Sequence, residues 1–262
     1  MTDQPNPAPF DLAALPAQLR PYVQGAPAED VSGHSAAQTY RVGRDGAFML
    51  KTGAPGSLRG EAEMAAYFHK LGLGAEVLCH CADAQREYLL TARLPGLWAC
   101  GGMYLEQPKR LCEVFAGCLR QLHSTPAEDC PYRPLERWLA KACEGGQLCD
   151  ARLLDGRTPE EELALLRTQK GMFTHSTLIH GDACLPNILL QDWRFTGWID
   201  LGGAGLGDPH VDLYWALWSL EYNLRTTAYG DYFLDCYGRT EVDVQRLRLC
   251  AAVGAFSDFS NN

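Results

Sequence analysis

No apolar run in this 262-residue chain approaches the about 18 residues that a membrane-crossing helix needs. The stretch 1–28 has neither a basic start nor an apolar core, so no secretory signal is expected and the chain reads as cytoplasmic, without a membrane partner. Basic residues are scarce as well. Lys and Arg number 23 against 32 Asp and Glu, giving a formal net charge of −9. A nucleic acid partner demands a basic footprint, so that class is excluded and a cationic partner fits better. Metal-site spacing is missing too: Cys79-His80-Cys81 sets its side chains closer than the two-to-four-residue gaps of zinc sites. The 11 cysteines are odd in number and scattered through apolar patterns, as buried thiols in a reducing compartment are. There is no internal repeat and no low-complexity tract. The sequence G-x-x-x-x-G-K-[ST] does not occur, which removes the P-loop nucleotide binders.

What is present describes an ordinary globular protein, with 47% hydrophobic and 21% charged residues. At roughly 100 to 200 residues per domain, the length suggests two lobes. Residues 1–27 read as a loose leader with one short helix at 11–20. Strands are expected at 32–42 and 46–52, flanking the turn Gly43-Arg44-Asp45-Gly46, and again at 75–78 and 88–94. Between them 61–71 has helical spacing, with Gly72 as its stop. Pro95-Gly96 ends this small mixed sheet, so an N-lobe is placed at 1–95 and a mainly helical C-lobe at 96–262. Amphipathic or N-capped helices are expected at 108–123, 134–143, 159–168, 210–224, 229–237 and 242–256.

The chemistry concentrates in His180-Gly181-Asp182-Ala183-Cys184-Leu185-Pro186-Asn187 and the segment that follows it. Residues 188–190 and 195–199 are β-prone runs separated by Gln191-Asp192-Trp193-Arg194, and therefore an antiparallel hairpin with a four-residue loop. Its open end brings Asn187 near Asp200. One amide oxygen beside one carboxylate, with a nucleotide's phosphate oxygens completing the shell, suits Mg²⁺. Asp182 lies just upstream, where it can accept the proton of an attacking hydroxyl. Protein kinases arrange these parts as H-R-D-x-x-x-x-N and D-F-G; here they are H-G-D-x-x-x-x-N and D-L-G. Taken singly, an Asp or Asn before a hairpin is a turn former or a cap. The joint pattern is much rarer. Phosphoryl transfer also needs a cation on the phosphates, and Lys51 with Glu61 supplies the strand Lys and helical Glu of the kinase solution. The small residues Gly33 and Ser35 precede Lys51 where a phosphate-covering loop would lie, although G-x-G-x-x-G is absent.

These residues, with Asp208-Pro209 and Asp212-Leu213, resemble the aminoglycoside O-phosphotransferases, most closely the 3′-phosphotransferases of kanamycin and neomycin resistance. The resemblance runs from about Val31 through Ser35, Lys51, Glu61 and Leu122-His123 to the C-terminal helices. It implies an α+β, two-lobe protein-kinase-like fold, with Asp182 as base and Asn187 and Asp200 as Mg²⁺ ligands. It also implies Lys51 on the phosphates of ATP, with GTP the alternative donor, Met49 against adenine, and a hinge formed by the backbone from Thr91 through Ala92 to Leu94. For a cationic acceptor it implies acids in the positions of Asp150 and Asp155, Glu221 and Asp258. The sequence departs from the pattern at Arg152, Gly203 and Tyr222, and in a chain end extended through Asn262, which leaves the acceptor open between an aminoglycoside and another aminocyclitol, amino sugar or choline-like metabolite. Two other classes compete. Gly33-His34-Ser35-Ala36-Ala37 imitates a hydrolase nucleophile elbow but lacks its final Gly. A catalytically silent kinase-like binding module is disfavoured, because every kinase position is filled.

Overall fold

The computed structural model describes residues 15–23, 28–32, 37–144, 148–149, 153 and 156–257. The chain forms two compact units, Met1–Leu94 and Pro95–Asn262.

In the first unit, strands β1 (Glu29–Asp30), β2 (Gln38–Val42), β3 (Phe48–Gly53), β4 (Val77–Ala82) and β5 (Glu87–Ala92) form one sheet in the order β1-β2-β3-β5-β4. Every pairing in it is antiparallel, where a mixed sheet was expected. Alternation divides the sheet into two faces. One face carries Tyr40, Val42, Leu50, Tyr88 and Leu90 into a core that also takes in Leu15, Leu19 and Val23. The described part of the expected leader is thus packed structure. Its short helix α1 (Arg20–Val23) starts where the expected 11–20 helix was to end, because residues 17–19 form a turn after Pro16, and residues 11–14 lie outside the described residues. On the opposite face Leu89 packs with Leu58 and Ala62 of helix α2 (Arg59–Lys70) and its N-terminal flank.

The second unit has two small sheets and a helical body. Strands β6 (Leu97–Trp98), β8 (Ile188–Gln191) and β9 (Arg194–Trp198) form one sheet, while β7 (Thr177–Ile179) pairs with β10 (Gly205–Gly207). Around them lie helices α3 (Gly102–Leu105), α4 (Pro108–His123), α5 (Pro134–Cys143), α6 (Pro159–Gln169), α7 (Pro209–Leu224), α8 (Gly230–Tyr237) and α9 (Val244–Phe256). One buried cluster joins Leu135, Trp138, Leu166, Val211, Leu249, Val253 and Phe256 from α5, α6, α7 and α9. Among the described residues, no helix is long and apolar enough to cross a membrane. All eleven cysteines are free thiols.

The hairpin is tighter than its composition suggests. Gln191 pairs with Arg194, so the turn is only Asp192-Trp193, with positive φ at both residues (50° and 67°). A bulky residue in that region is strained, and the usual Asn-Gly signature is absent. Packing holds it there: the Trp193 ring meets Tyr104 edge to face at 4.9 Å and lies 4.4 Å from the Arg110 guanidinium.

Asp208 starts α7 and ties it to its surroundings. Its carboxylate accepts the N–H and hydroxyl of Thr174 and the N–H and Nδ1 of His210. Burial alone would raise this carboxyl, but the hydrogen bonds from His210 and Thr174 outweigh it and leave the group below its ordinary value of 3.8. A depressed carboxylate contributes stability that is present above its unfolded value and lost as pH falls through the folded one. Thermal stability should therefore drop as pH falls below about 4, and Asp208→Asn should flatten that drop. Melting curves across the acid range check this; parallel losses in wild type and variant would remove Asp208 as the cause.

Candidate active site

The loop between β7 and β8 is built on one buried carboxylate. Asp212 of α7 is fully buried and accepts the backbone N–H of His180 at 2.8 Å and of Gly181 at 2.7 Å. His123 at the end of α4 lies 3.1 Å from the same carboxylate through Nε2. A carboxylate only accepts, so Nε2 carries a proton, and Nδ1 faces the Tyr237 hydroxyl at 2.8 Å. Gly181 is required at its position: φ is 84°, and a Cβ there would lie 2.1 Å from the Gly203 carbonyl oxygen.

His180 spans the loop and the segment before Asp200. Its Nε2 lies 2.9 Å from the Ile199 carbonyl, and its Nδ1 accepts the N–H of Asp182 at 3.2 Å. One partner only accepts and the other only donates, which fixes the ring as the Nε2–H tautomer. The hairpin closes the same geometry from the other side, since Ile199 N–H donates to Asn187 carbonyl oxygen at 3.0 Å. Asp200 follows in the left-handed conformation (φ 60°, ψ 59°) and enters the 3-10 turn Leu201–Gly203.

Asp182 presents a carboxylate held at both oxygens. Cys184 S–H donates to Oδ1 at 3.1 Å, and Asn187 Nδ2 donates to Oδ2 at 2.9 Å and to the Asp182 carbonyl at 2.8 Å. Two acceptors on Asp182 fix the Asn187 amide nitrogen, so its oxygen is the atom turned elsewhere. Burial pushes the Asp182 carboxyl above its ordinary value, and the Asp200 carboxylate adds to the rise. The bonds from Cys184 and Asn187 offset only part of it.

Among the described residues no group of three or more His, Cys, Asp or Glu side chains could hold a metal. The donor set here is smaller, one amide oxygen and one carboxylate, with a second carboxylate near enough to raise its partner's proton affinity. Hard oxygen donors of this kind fit a Mg²⁺ ion that takes its remaining ligands from phosphate and water.

In the first unit Lys51 of β3 reaches Glu61 of α2 at 2.9 and 2.7 Å, and both side chains are mostly buried. The N-terminus of α2 is fixed in turn by the nearly inaccessible Glu87, which accepts Leu58 N–H at 2.7 Å and meets His80 Nε2 at 2.7 Å. Met49 pairs with Thr91 and Phe48 with Ala92 across β3 and β5, with half-buried Leu94 two residues beyond the strand.

Comparison with known proteins places this arrangement. Residues 27–249 match the profile of the phosphotransferase enzyme family, APH. The chain belongs to that family. It is 36% identical over 253 residues to a probable aminoglycoside 3′-phosphotransferase of Lactococcus lactis, covering 94% of this chain and 97% of that one. The crystal structure of a type VIII aminoglycoside-3′-phosphotransferase superposes with a TM-score of 0.70 at 28% identity, over 88% of this chain and 94% of that chain. The fold is also that of an aminoglycoside phosphotransferase, APH(3″)-Id of Streptomyces rimosus, solved with ADP and streptomycin. That match has a TM-score of 0.66 at 22% identity and covers 97% of this chain and all of the other.

In this phosphotransferase the second unit gathers Asp182, Asn187 and Asp200, and the first unit gathers Lys51 and Glu61. Glu221 is exposed on α7, with Tyr222 beside it. Gly33, Ser35, Asp150, Arg152, Asp155 and Asp258 lie outside the described residues. Asp212 and His123 were visible in the sequence only as members of a resembling segment. A carboxylate at the fourth position of an otherwise apolar helix start was the available sign that it faces backbone donors.

Proposed function

We propose that this phosphotransferase moves the γ-phosphoryl group of ATP to a hydroxyl of a kanamycin- or neomycin-like aminoglycoside, a modification that confers resistance. The observation that carries the reading is the Asp182 carboxylate, clamped by Asn187 and faced by Asp200, in a chain so similar to a probable aminoglycoside 3′-phosphotransferase. The complex of a fold relative with ADP and streptomycin supports the nucleotide and the acceptor class.

Asp182 is the general base. Its carboxylate takes the hydroxyl proton as the acceptor oxygen bonds to the γ-phosphorus and the bond to the β–γ bridging oxygen breaks, releasing ADP. Asn187, through its amide oxygen, and Asp200 would hold Mg²⁺, which when bound supplies positive charge to the phosphate oxygens. Lys51, kept extended by Glu61, binds phosphate oxygens, and Gly33 and Ser35 are the small residues assigned to a phosphate-covering loop. Met49 contacts adenine and the Thr91–Leu94 backbone forms the hinge. The net charge of −9 suits a polycationic acceptor, and Asp150, Asp155, Glu221 and Asp258 are the acids assigned to its ammonium groups. The site of action is the cytoplasm.

Purified protein with Mg²⁺, ATP or GTP, and a panel of aminoglycosides, aminocyclitols, amino sugars and choline tests the acceptor. Aminoglycoside-stimulated ADP release is expected; stimulation by another hydroxyl compound alone would overturn the assignment. Asp200→Ala should abolish the calorimetric heat of Mg²⁺–ATP binding, and an unchanged isotherm would remove Asp200 as a ligand.

A further inference from the structure

One of the two donors that hold the Asp182 carboxylate is a thiol. Cys184 is 8% exposed, and its backbone N–H already donates to the Asp182 carbonyl at 2.8 Å. Its Sγ lies 3.1 Å from Asp182 Oδ1 and 3.9 Å from the Trp215 carbonyl oxygen, and the Ser219 hydroxyl also hydrogen-bonds the sulfur. A thiol has a single proton, so the shorter contact takes it. Burial pushes the thiol well above its ordinary range, so it stays a donor and is not a nucleophile.

The segment that carries this thiol is fixed independently of Asp182. Leu185 N–H donates to the fully buried Ser219 hydroxyl at 2.9 Å, and Asn223 Nδ2 donates to the Ser219 carbonyl at 2.7 Å. The thiol is therefore presented from a rigid support on α7. Asn187 fixes Oδ2 from the opposite side at 2.9 Å. Held by Asn187 alone, the carboxylate could swing about that one oxygen; held at both, its plane is set, and each oxygen keeps one lone-pair direction for an incoming hydroxyl. S–H is a weak donor, so it orients the carboxylate while withdrawing less electron density than a hydroxyl would.

We propose that Cys184 is a positioning residue for phosphoryl transfer, its S–H fixing the plane of the Asp182 carboxylate against Asn187. The inference rests on the assignment of Asp182 as the base. A misplacement of a reacting group by about 1 Å can cost on the order of 10²-fold, so loosening one of two restraints should cost roughly 10- to 50-fold.

The test compares Cys184→Ala, Cys184→Val and Cys184→Ser with wild type and with Asp182→Ala. The readout is ADP release with the panel acceptor that turns over fastest, and slow ATP hydrolysis by water is followed in parallel. Alanine empties the site and valine refills it without a donor, whereas serine keeps a donor. Expected are equal kcat losses in Ala and Val, KM for ATP and acceptor within about two-fold of wild type, and recovery to within a few-fold in Ser. Thermal melts identify any variant that has lost its fold, and the remaining two then decide. A Val variant at wild-type rate, a Ser variant as slow as Ala, or a loss confined to KM would overturn the proposal. Full activity in Asp182→Ala would instead overturn the assignment beneath it.

Discussion

Asp182→Ala is expected to lower kcat by about 10² to 10⁴-fold while the protein keeps its fold, the loss typical of a missing general base. The fold should survive because the loop does not hang on this side chain. His180 and Gly181 are fixed through their backbone N–H groups on Asp212, and Leu185 through Ser219. Among the described residues, the Asp182 carboxylate takes hydrogen bonds from the Cys184 thiol and the Asn187 amide, both on the same loop. The variant leaves the Asn187 amide oxygen and Asp200, the ligands proposed for Mg²⁺, in place, so Mg²⁺–ATP affinity should change little. The pH profile carries a second signature. Burial, reinforced by Asp200, raises the Asp182 carboxyl above 3.8, and a base works only when deprotonated. Wild-type activity should accordingly fall on the acid side at a pH above the ordinary aspartate value. Single-turnover phosphorylation across pH checks both statements. Wild-type turnover in the variant would remove Asp182 from the chemistry.

The parts of this protein that could be read from the sequence are those in which one residue announces its own job. Helices α4 and α5 begin at Pro108 and Pro134, and their bounds agree with those expected because proline at the first helical position fixes the start. The α+β class and the family followed from a motif whose spacing leaves few alternatives. Elements of two to four residues, such as β1, β6, β7, β10 and α3, are too short to show a period, and their existence depends on distant partners. The hairpin turn was read as too long because Trp193 adopts a positive φ that its composition does not suggest, at a place where Tyr104 and Arg110 pack against it. In the site the same division holds. Asp182, Asn187 and Asp200 share one local pattern, and Lys51 and Glu61 fit a strand and a helix. The roles of Asp212, His180 and Cys184 are set by acceptors and donors on the backbone, or by a neighbour two residues away, and a backbone group leaves no mark in the residue alphabet.

That hidden layer yields the largest expected effect on stability. Asp212→Ala leaves three buried donors without an acceptor: the N–H groups of His180 and Gly181 and the Nε2–H of His123. Each such orphan costs about 1 to 3 kcal/mol, so the variant should lose on the order of 3 to 9 kcal/mol, a large share of the roughly 5 to 15 that hold a domain together. A melting temperature lower by about 10 °C or more follows for a unit of this size. Asp212→Asn retains one acceptor oxygen but turns an NH₂ group toward at least one of the same donors, so it should fall between wild type and alanine. Because Gly181 sits with a positive φ against the Gly203 carbonyl, the freed loop cannot shift without disturbing the turn that follows Asp200. Stability and turnover should therefore fall together, with faster amide hydrogen exchange at His180 and Gly181 than elsewhere in the second unit. Melting within about 2 °C of wild type in the alanine variant would show that these donors find other partners, and that Asp212 does not hold the loop.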